Sequence, residues 1–221
     1  MKEEEAIKKG INIEALKEEQ RKLAKEVSLK DAFDFKNATR FGGVHVEILQ
    51  ETREILATAV VCNENLEPIE EKYAIRPIRF PYIPGFRAYR ELPALTIAIG
   101  KLEEQPDFVF IEAQGIAHPR GLGLASHLGI VLNKPTIGLS KSVLVGEHVG
   151  DEVVFNKKTV AKAIVTKQGA KPVYVSPGHM ISLKTAIEMT KKCIKEPHKL
   201  PEPVVLARKA ADRIKRELGK K

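Results

Sequence analysis

Side chains able to work on a phosphodiester are spread over four short segments of this chain: His45 in Gly43-Val44-His45-Val46-Glu47, Glu91 in Tyr89-Arg90-Glu91, Glu112 and His118 in Glu112-Ala113-Gln114-Gly115-Ile116-Ala117-His118-Pro119-Arg120, and Lys141 in Gly138-Leu139-Ser140-Lys141-Ser142. Metal-assisted hydrolysis of a phosphodiester needs hard oxygen ligands gathered from separate elements, so that a divalent cation can activate water and offset developing charge. Glu91 and Glu112 are such ligands, and His45 is a third candidate. Imidazole serves two roles, so His45 either ligates a metal or hydrogen-bonds to Glu112 or Glu91 without one. Glu47, two residues on, shares a strand face with His45 and offers a further carboxylate roughly 7 Å along the strand. The ordinary alternative for Glu47 is an exposed strand residue.

A second constellation is suited to binding. In Pro81-Tyr82-Ile83-Pro84-Gly85 two prolines stiffen the loop around an aromatic and an aliphatic side chain. Such a loop can push between stacked bases at little further entropic cost. Gly85, Gly115 and Gly123 would let backbone come close to a base turned out of its stack. The alternative for each glycine is a turn or a packing requirement, which for Gly123 is an equal reading. Lys141 is suited to contacting a phosphate or a developing negative charge.

The elements that must position these groups follow from periodicity. Ile13, Leu16, Gln20, Leu23 and Val27 recur at helical spacing and predict an accessory N-terminal helix within residues 1–27. Strands are predicted over Phe41–Leu49, Glu54–Cys62 and about Ile69–Ile75, forming an antiparallel meander. A helix is expected over Ala88–Leu102, with Pro93 near its start where a missing amide is tolerated. The apolar run Phe108–Ile111 reads as a buried, parallel strand that carries Glu112 out at its C-terminal end. A helix near Leu122–Leu132, a strand near Thr136–Leu139, a hairpin-like pair over Val153–Thr166 and a strand near Val173–Ser176 follow. Two helices within 182–221 finish the chain. Three antiparallel strands followed by alternating helices and strands predict a mixed-sheet α/β fold, compatible with a ribonuclease H-like sheet.

At 221 residues and 43% apolar content, the chain suits one domain spanning 1–221. No apolar run approaches membrane-spanning length, and the charged start Met1-Lys2-Glu3-Glu4-Glu5 lacks a signal-peptide pattern, so a soluble cytoplasmic protein is expected. Cys62 and Cys193 show no paired spacing and read as small buried hydrophobes. The net charge of +8 is concentrated between Lys184 and Lys221, with twelve Lys/Arg against five Asp/Glu. That favours a polyanionic partner, although a basic helical tail is also a common solvated face.

From about Thr39 to Leu218 the chain resembles endonuclease V, most closely in its Pro-Tyr-Ile-Pro loop and its Gly115–Arg120 loop. The resemblance implies a ribonuclease H-like fold and metal-dependent cleavage of DNA or RNA at the second phosphodiester 3′ to deoxyinosine or inosine, leaving 3′-hydroxyl and 5′-phosphate ends. Residue by residue, it implies that Glu91 and Glu112 bind metal, that His118 and Lys141 serve the reaction, and that Pro81, Tyr82, Ile83, Pro84 and Gly85 open the nucleic acid. Gly115 and Gly123 would face the deaminated base. His45 stands where the family has its first-strand aspartate, Glu112 where it has an aspartate, and Ala113 where it often has glycine. The implied cofactor is Mg2+, with Mn2+ better suited to an imidazole ligand. The alternative is a family member that binds deaminated or distorted nucleic acid without efficient cleavage. No protein partner follows from the sequence.

Overall fold

The computed structural model describes residues 1–219. Strands β1 (Phe41–Leu49), β2 (Glu54–Cys62) and β3 (Pro68–Pro77) form the expected antiparallel meander. β4 (Phe108–Ile111) lies parallel to β1, and β5 (Thr136–Ser140) parallel to β4. Among the described residues the sheet has nine strands in the order β3-β2-β1-β4-β5-β9-β8-β7-β6, extended by β6 (Glu147–Val149), β7 (Glu152–Phe155), β8 (Lys158–Ile164) and β9 (Val173–His179). This is the ribonuclease H-like mixed sheet that the strand pattern predicts.

Both faces of the sheet are covered, which explains why β2 is apolar at almost every position. Ile55, Ala57, Ala59 and Val61 pack with Leu95, Ala98 and Ile99 of α3 (Arg87–Gly100) and with Leu128 of α4 (Leu124–Leu132). The intervening residues face the opposite way. Val60 and Cys62 meet Ala207 and Ala210 of α6 (Glu202–Leu218), Leu56 meets Ala211 and Ile214, and the Thr58 hydroxyl donates to the Ala207 carbonyl at 2.8 Å. α5 (Leu183–Lys192) covers the same face further along, over Phe108, Phe110, Ile137 and Val175. Cys62 and Cys193 are both buried and unbridged.

The N-terminal helix is in fact two helices, α1 (Glu3–Lys8) and α2 (Ile13–Leu23), with Val27 beyond a short 3-10 turn. Gly10 at φ +81° breaks the first, and Asn12 caps the second by accepting from the Ala15 amide. Pro93 lies in the second turn of α3 and not in its first, so one i→i−4 bond is missing from that helix. β6, wholly exposed and three residues long, has no counterpart in the predicted elements. β9 runs on through Pro177 because its register with β5 shifts there. Of the basic tail, Lys220 and Lys221 lie outside the described residues.

One packing detail places the later chemistry. Gly43 of β1 lies against the backbone of Pro203 and Val204, so close that a Cβ there would overlap the Pro203 carbonyl group. The start of α6 therefore rests directly on β1. Gly43→Ala is expected to destabilise the protein by about 2–4 kcal/mol through forced separation of these backbones. Thermal or urea unfolding checks this; an unchanged midpoint would contradict the tight contact.

Candidate active site

Parity along the strands decides which groups meet. Val44 and Val46 pack under α3 and α4, so Gly43, His45 and Glu47 point to the α6 side. On β4, Val109 and Ile111 face α3 while Phe108 and Phe110 face α5, which turns Glu112 to the α6 side as well. β1 and β4 are hydrogen-bonded neighbours in parallel register, with Gly43 opposite Phe110 and Val44 opposite Ile111. His45 and Glu112 therefore sit side by side, with Nδ1 3.7 Å from Oε2.

Two cations complete this group. Arg208 of α6 donates from Nη2 to Glu112 Oε2, and the Lys141 ammonium, just past β5, lies 3.6 Å from Oε1. Burial pushes the Glu112 carboxyl up, but the His45 imidazole, the Arg208 guanidinium and the Lys141 ammonium outweigh it and bring the pKa down to about 2. Glu112 is thus a fixed carboxylate at any physiological pH. Glu47 accepts from the Lys215 ammonium and lies 4.0 Å from His45 Nε2.

Glu91 comes from α3, on the other side of the sheet. Its Oε1 accepts from Arg87 Nε at 2.7 Å, and Arg87 Nη1 reaches the Glu112 backbone carbonyl at 2.8 Å. Its Oε2 is buried with no hydrogen-bond partner among the described residues. Arg87 thus stands as the link between Glu91 and the Glu112 segment.

These donors do not fit a divalent metal. A hard cation needs several oxygen ligands around one point. Glu91 offers one open oxygen, whereas the Glu112 oxygens already face Arg208, Lys141 and His45. Among the described residues no group of three or more His, Cys, Asp or Glu side chains is arranged to hold a metal. His45, Glu91 and Glu112 therefore do not gather into the ligand set expected of them.

His118 is held by contacts within the protein. Its imidazole is buried, Nδ1 accepts from the Arg120 amide at 3.3 Å, and Nε2 faces the Gly85 carbonyl at 3.1 Å. Because Nδ1 must accept and the carbonyl cannot donate, the ring is the neutral tautomer protonated on Nε2. Burial and the nearby Arg120 charge push its pKa down to about 4, with the Gly85 carbonyl opposing them. Both ring nitrogens are engaged within the protein.

Gly85 is the hub of the proline loop. At φ +79° it holds a conformation natural to glycine, and its carbonyl also accepts from Gln20 Nε2 at 3.0 Å and Arg120 Nη2 at 2.8 Å. Around it, Tyr82 is 52% exposed while Ile83 is 0% exposed and packs with Ala6, Ile13 and Phe86. Ile83 thus anchors the loop in the core, while Tyr82 faces solvent. Tyr82 and Pro84 form the tip, with the Arg90 guanidinium 5.9 Å from the tyrosine ring centroid. Gly115 and Gly123 also serve packing: a Cβ would run into the Pro177 carbonyl at the first and the Gln114 carbonyl at the second.

A cleft of about 440 Å³ joins these parts, bounded by Tyr82, Pro84 and Gly85 on one side, His45, Glu112 and Arg208 at its base, and Lys141 and Ser142 opposite. Its volume falls in the range of ligand sites. Arg208 and Arg87 have no place among the residues singled out from the sequence, where Gln20 and Arg120 appear only as members of the helical stripe and of the Gly115–Arg120 loop. The one signal for Arg208 is its position next to Ala207, on the edge of the apolar stripe of α6.

The family model for endonuclease V matches residues 21–209. Among relatives, the endonuclease V of Nostoc sp. (strain PCC 7120 / SAG 25.82 / UTEX 2576) is 45% identical over 163 residues, covering 70% of this chain and 73% of its own length. That of Protochlamydia amoebophila is 38% identical over 210 residues, covering 90% and 88%. The crystal structure of endonuclease V from Streptomyces avermitilis superposes with a TM-score of 0.85 at 31% identity, covering 94% of this chain and 95% of that one.

The His118 geometry carries a pH prediction. Its folded pKa lies below the unfolded value, so the unfolded chain binds the proton more readily and the stability it contributes is present above about pH 6.5 and lost as pH falls towards 4. His127 and His179 are also lowered by burial, so the comparison must be with a variant. Between pH 7 and 4 the native chain should lose on the order of 2 kcal/mol more stability than His118→Gln. Equal slopes in urea unfolding across that range would show that His118 is not held neutral.

Proposed function

The chain belongs to the endonuclease V family, and from that premise we propose that it engages DNA or RNA at deaminated bases, deoxyinosine or inosine, with cleavage of the second phosphodiester 3′ to the lesion impaired. Tyr82 and Pro84 form the opening element, held from behind by buried Ile83 and by the donors on the Gly85 carbonyl. A tyrosine ring entering the stack compensates for lost base contacts. The cleft behind it takes the displaced base, and Lys141 and Arg208 at its edge meet the phosphate. The net charge of +8 adds general attraction to the polyanion.

The family's chemistry is metal-dependent: a divalent cation activates water and neutralises charge on the phosphate. In this chain the observation that supports impairment is the Glu112 carboxylate already paired with Arg208 and Lys141, with His45 beside it. The longer stem of Glu112 relative to the family's aspartate adds to this, since a misplacement of roughly 1 Å can cost about a hundredfold in rate. His118 and Lys141 keep the binding parts of their expected roles, one by fixing Gly85 and the other by facing the cleft.

Two measurements test this proposal. Selective binding of an inosine-containing oligonucleotide over its guanosine counterpart is expected, with little or no nicking in Mg2+ or Mn2+; nicking of every bound strand within seconds in either metal would refute impairment, and equal affinity for both oligonucleotides would refute lesion recognition. His45→Asp combined with Glu112→Asp should raise the Mg2+-dependent nicking rate at least about tenfold, because it restores carboxylate charge and reach. No gain would mean that the departures at these positions are not what limits cleavage.

A further inference from the structure

Of the five Lys/Arg on α6, Arg208 and Lys215 are seven residues apart and hence on one face of the helix. Each closes onto a carboxylate from the sheet below, Arg208 onto Glu112 and Lys215 onto Glu47. His45 lies between the two carboxylates, 3.7 Å from one and 4.0 Å from the other. With Lys141 also at Glu112, two carboxylates face three permanent cations. A metal centre has the opposite balance, an excess of carboxylate that the cation neutralises.

We propose that Arg208 does at Glu112 what a divalent cation does in a metal centre, so that this chain grips a phosphodiester without metal. The proposal rests on the nucleic-acid reading above and goes beyond it by making binding metal-independent. The guanidinium meets Glu112 through Nη2, and its planar fork has five N–H donors in all, which leaves others for a phosphate oxygen. The side chain is 41% exposed and lines the cleft, so a strand can reach it. Lys141, 71% exposed, stands on the other side of the same carboxylate. A phosphate between them would be bound by two cations whose positions Glu112 sets. The contact of α6 with β1 at Gly43 fixes the helix that brings Arg208 there.

The decisive measurement is fluorescence anisotropy of an inosine-containing oligonucleotide at fixed ionic strength, in EDTA and in millimolar Mg2+ or Mn2+. The wild-type dissociation constant should agree within about twofold across these buffers, whereas Arg208→Gln should bind about tenfold more weakly in EDTA and Arg208→Lys should recover part of the loss. Circular dichroism and melting of each variant establish that it is folded. In parallel, the EPR signal of free Mn2+ should be unchanged by stoichiometric wild-type protein. Wild-type binding weakened tenfold or more by EDTA, Arg208→Gln binding as wild type does, or Mn2+ captured by the wild type would each overturn the proposal. Failure to bind the oligonucleotide selectively in any buffer would instead count against the functional reading, and the Mn2+ measurement would still decide the role of Arg208.

Discussion

The ion pair between Arg208 and Glu112 joins the two halves of the molecule's chemistry. Glu112 leaves the end of β4 on the α6 side and is largely withdrawn from water. A carboxylate in that position must be paired, or it is costly to keep charged. His45 lies beside it, with Nδ1 3.7 Å from Oε2. Arg208 supplies the charge, and it does so because α6 lies on β1 without a side chain between their backbones at Gly43. The register of a helix about a hundred residues away in sequence thus sets the electrostatics of the strand end. Removing Arg208 would leave Glu112 with only the more exposed Lys141 ammonium as an opposite charge, which moves a partly buried carboxylate towards the expensive, unpaired case.

The proline loop depends on a similar long-range arrangement of a different kind. Its tip is exposed, yet its base is one glycine carbonyl facing donors from α2 and from the Gly115–Arg120 loop. Arg120 also lies over the Phe86 ring, 4.6 Å from its centroid, closing the apolar base beneath Ile83. A loop held this firmly loses little further freedom when it enters a stack, so more of the contact energy is available for binding. The N-terminal helices, which look accessory from their sequence, contribute Gln20 and the apolar seat of Ile83.

Much of the fold is legible in the sequence because its signals are local. Alternation and apolar runs mark β1 to β5, and the buried run Phe108–Ile111 announces the strand that bears Glu112. The misses have local causes too: the apolar spacing of the N-terminal helix begins only at Ile13, after Gly10, so it carries no sign of the separate α1, and β6 lacks any buried residue to mark it. The candidate site is legible only in part. Strand parity predicts that His45 and Glu112 share a face once β1 and β4 are neighbours, and they do. What composition and spacing do not contain is which cation meets which carboxylate. Arg208 is one of many basic residues in the tail, and its role follows from how α6 rotates on the sheet. Glu91 sits on the opposite face, paired through Arg87, a relation that crosses the sheet and leaves no periodic trace.

The two constellations consequently stand in different relations to their relatives' chemistry. The binding parts are built from backbone geometry and burial: a glycine at positive φ, a buried isoleucine, a neutral histidine. None of these requires a metal, and each constrains the loop whether or not a bond is broken. The catalytic parts depend on a balance of charge at one point, and a balance shifts when a single side chain is exchanged. His45 removes a negative charge, and Arg208 adds a positive one directly on Glu112. Since Coulomb interactions at such short range exceed what one methylene of displacement changes, charge is the stronger of the two departures. On the function proposed above, a fold of this kind therefore retains recognition of a distorted strand while the means of cutting it diminish.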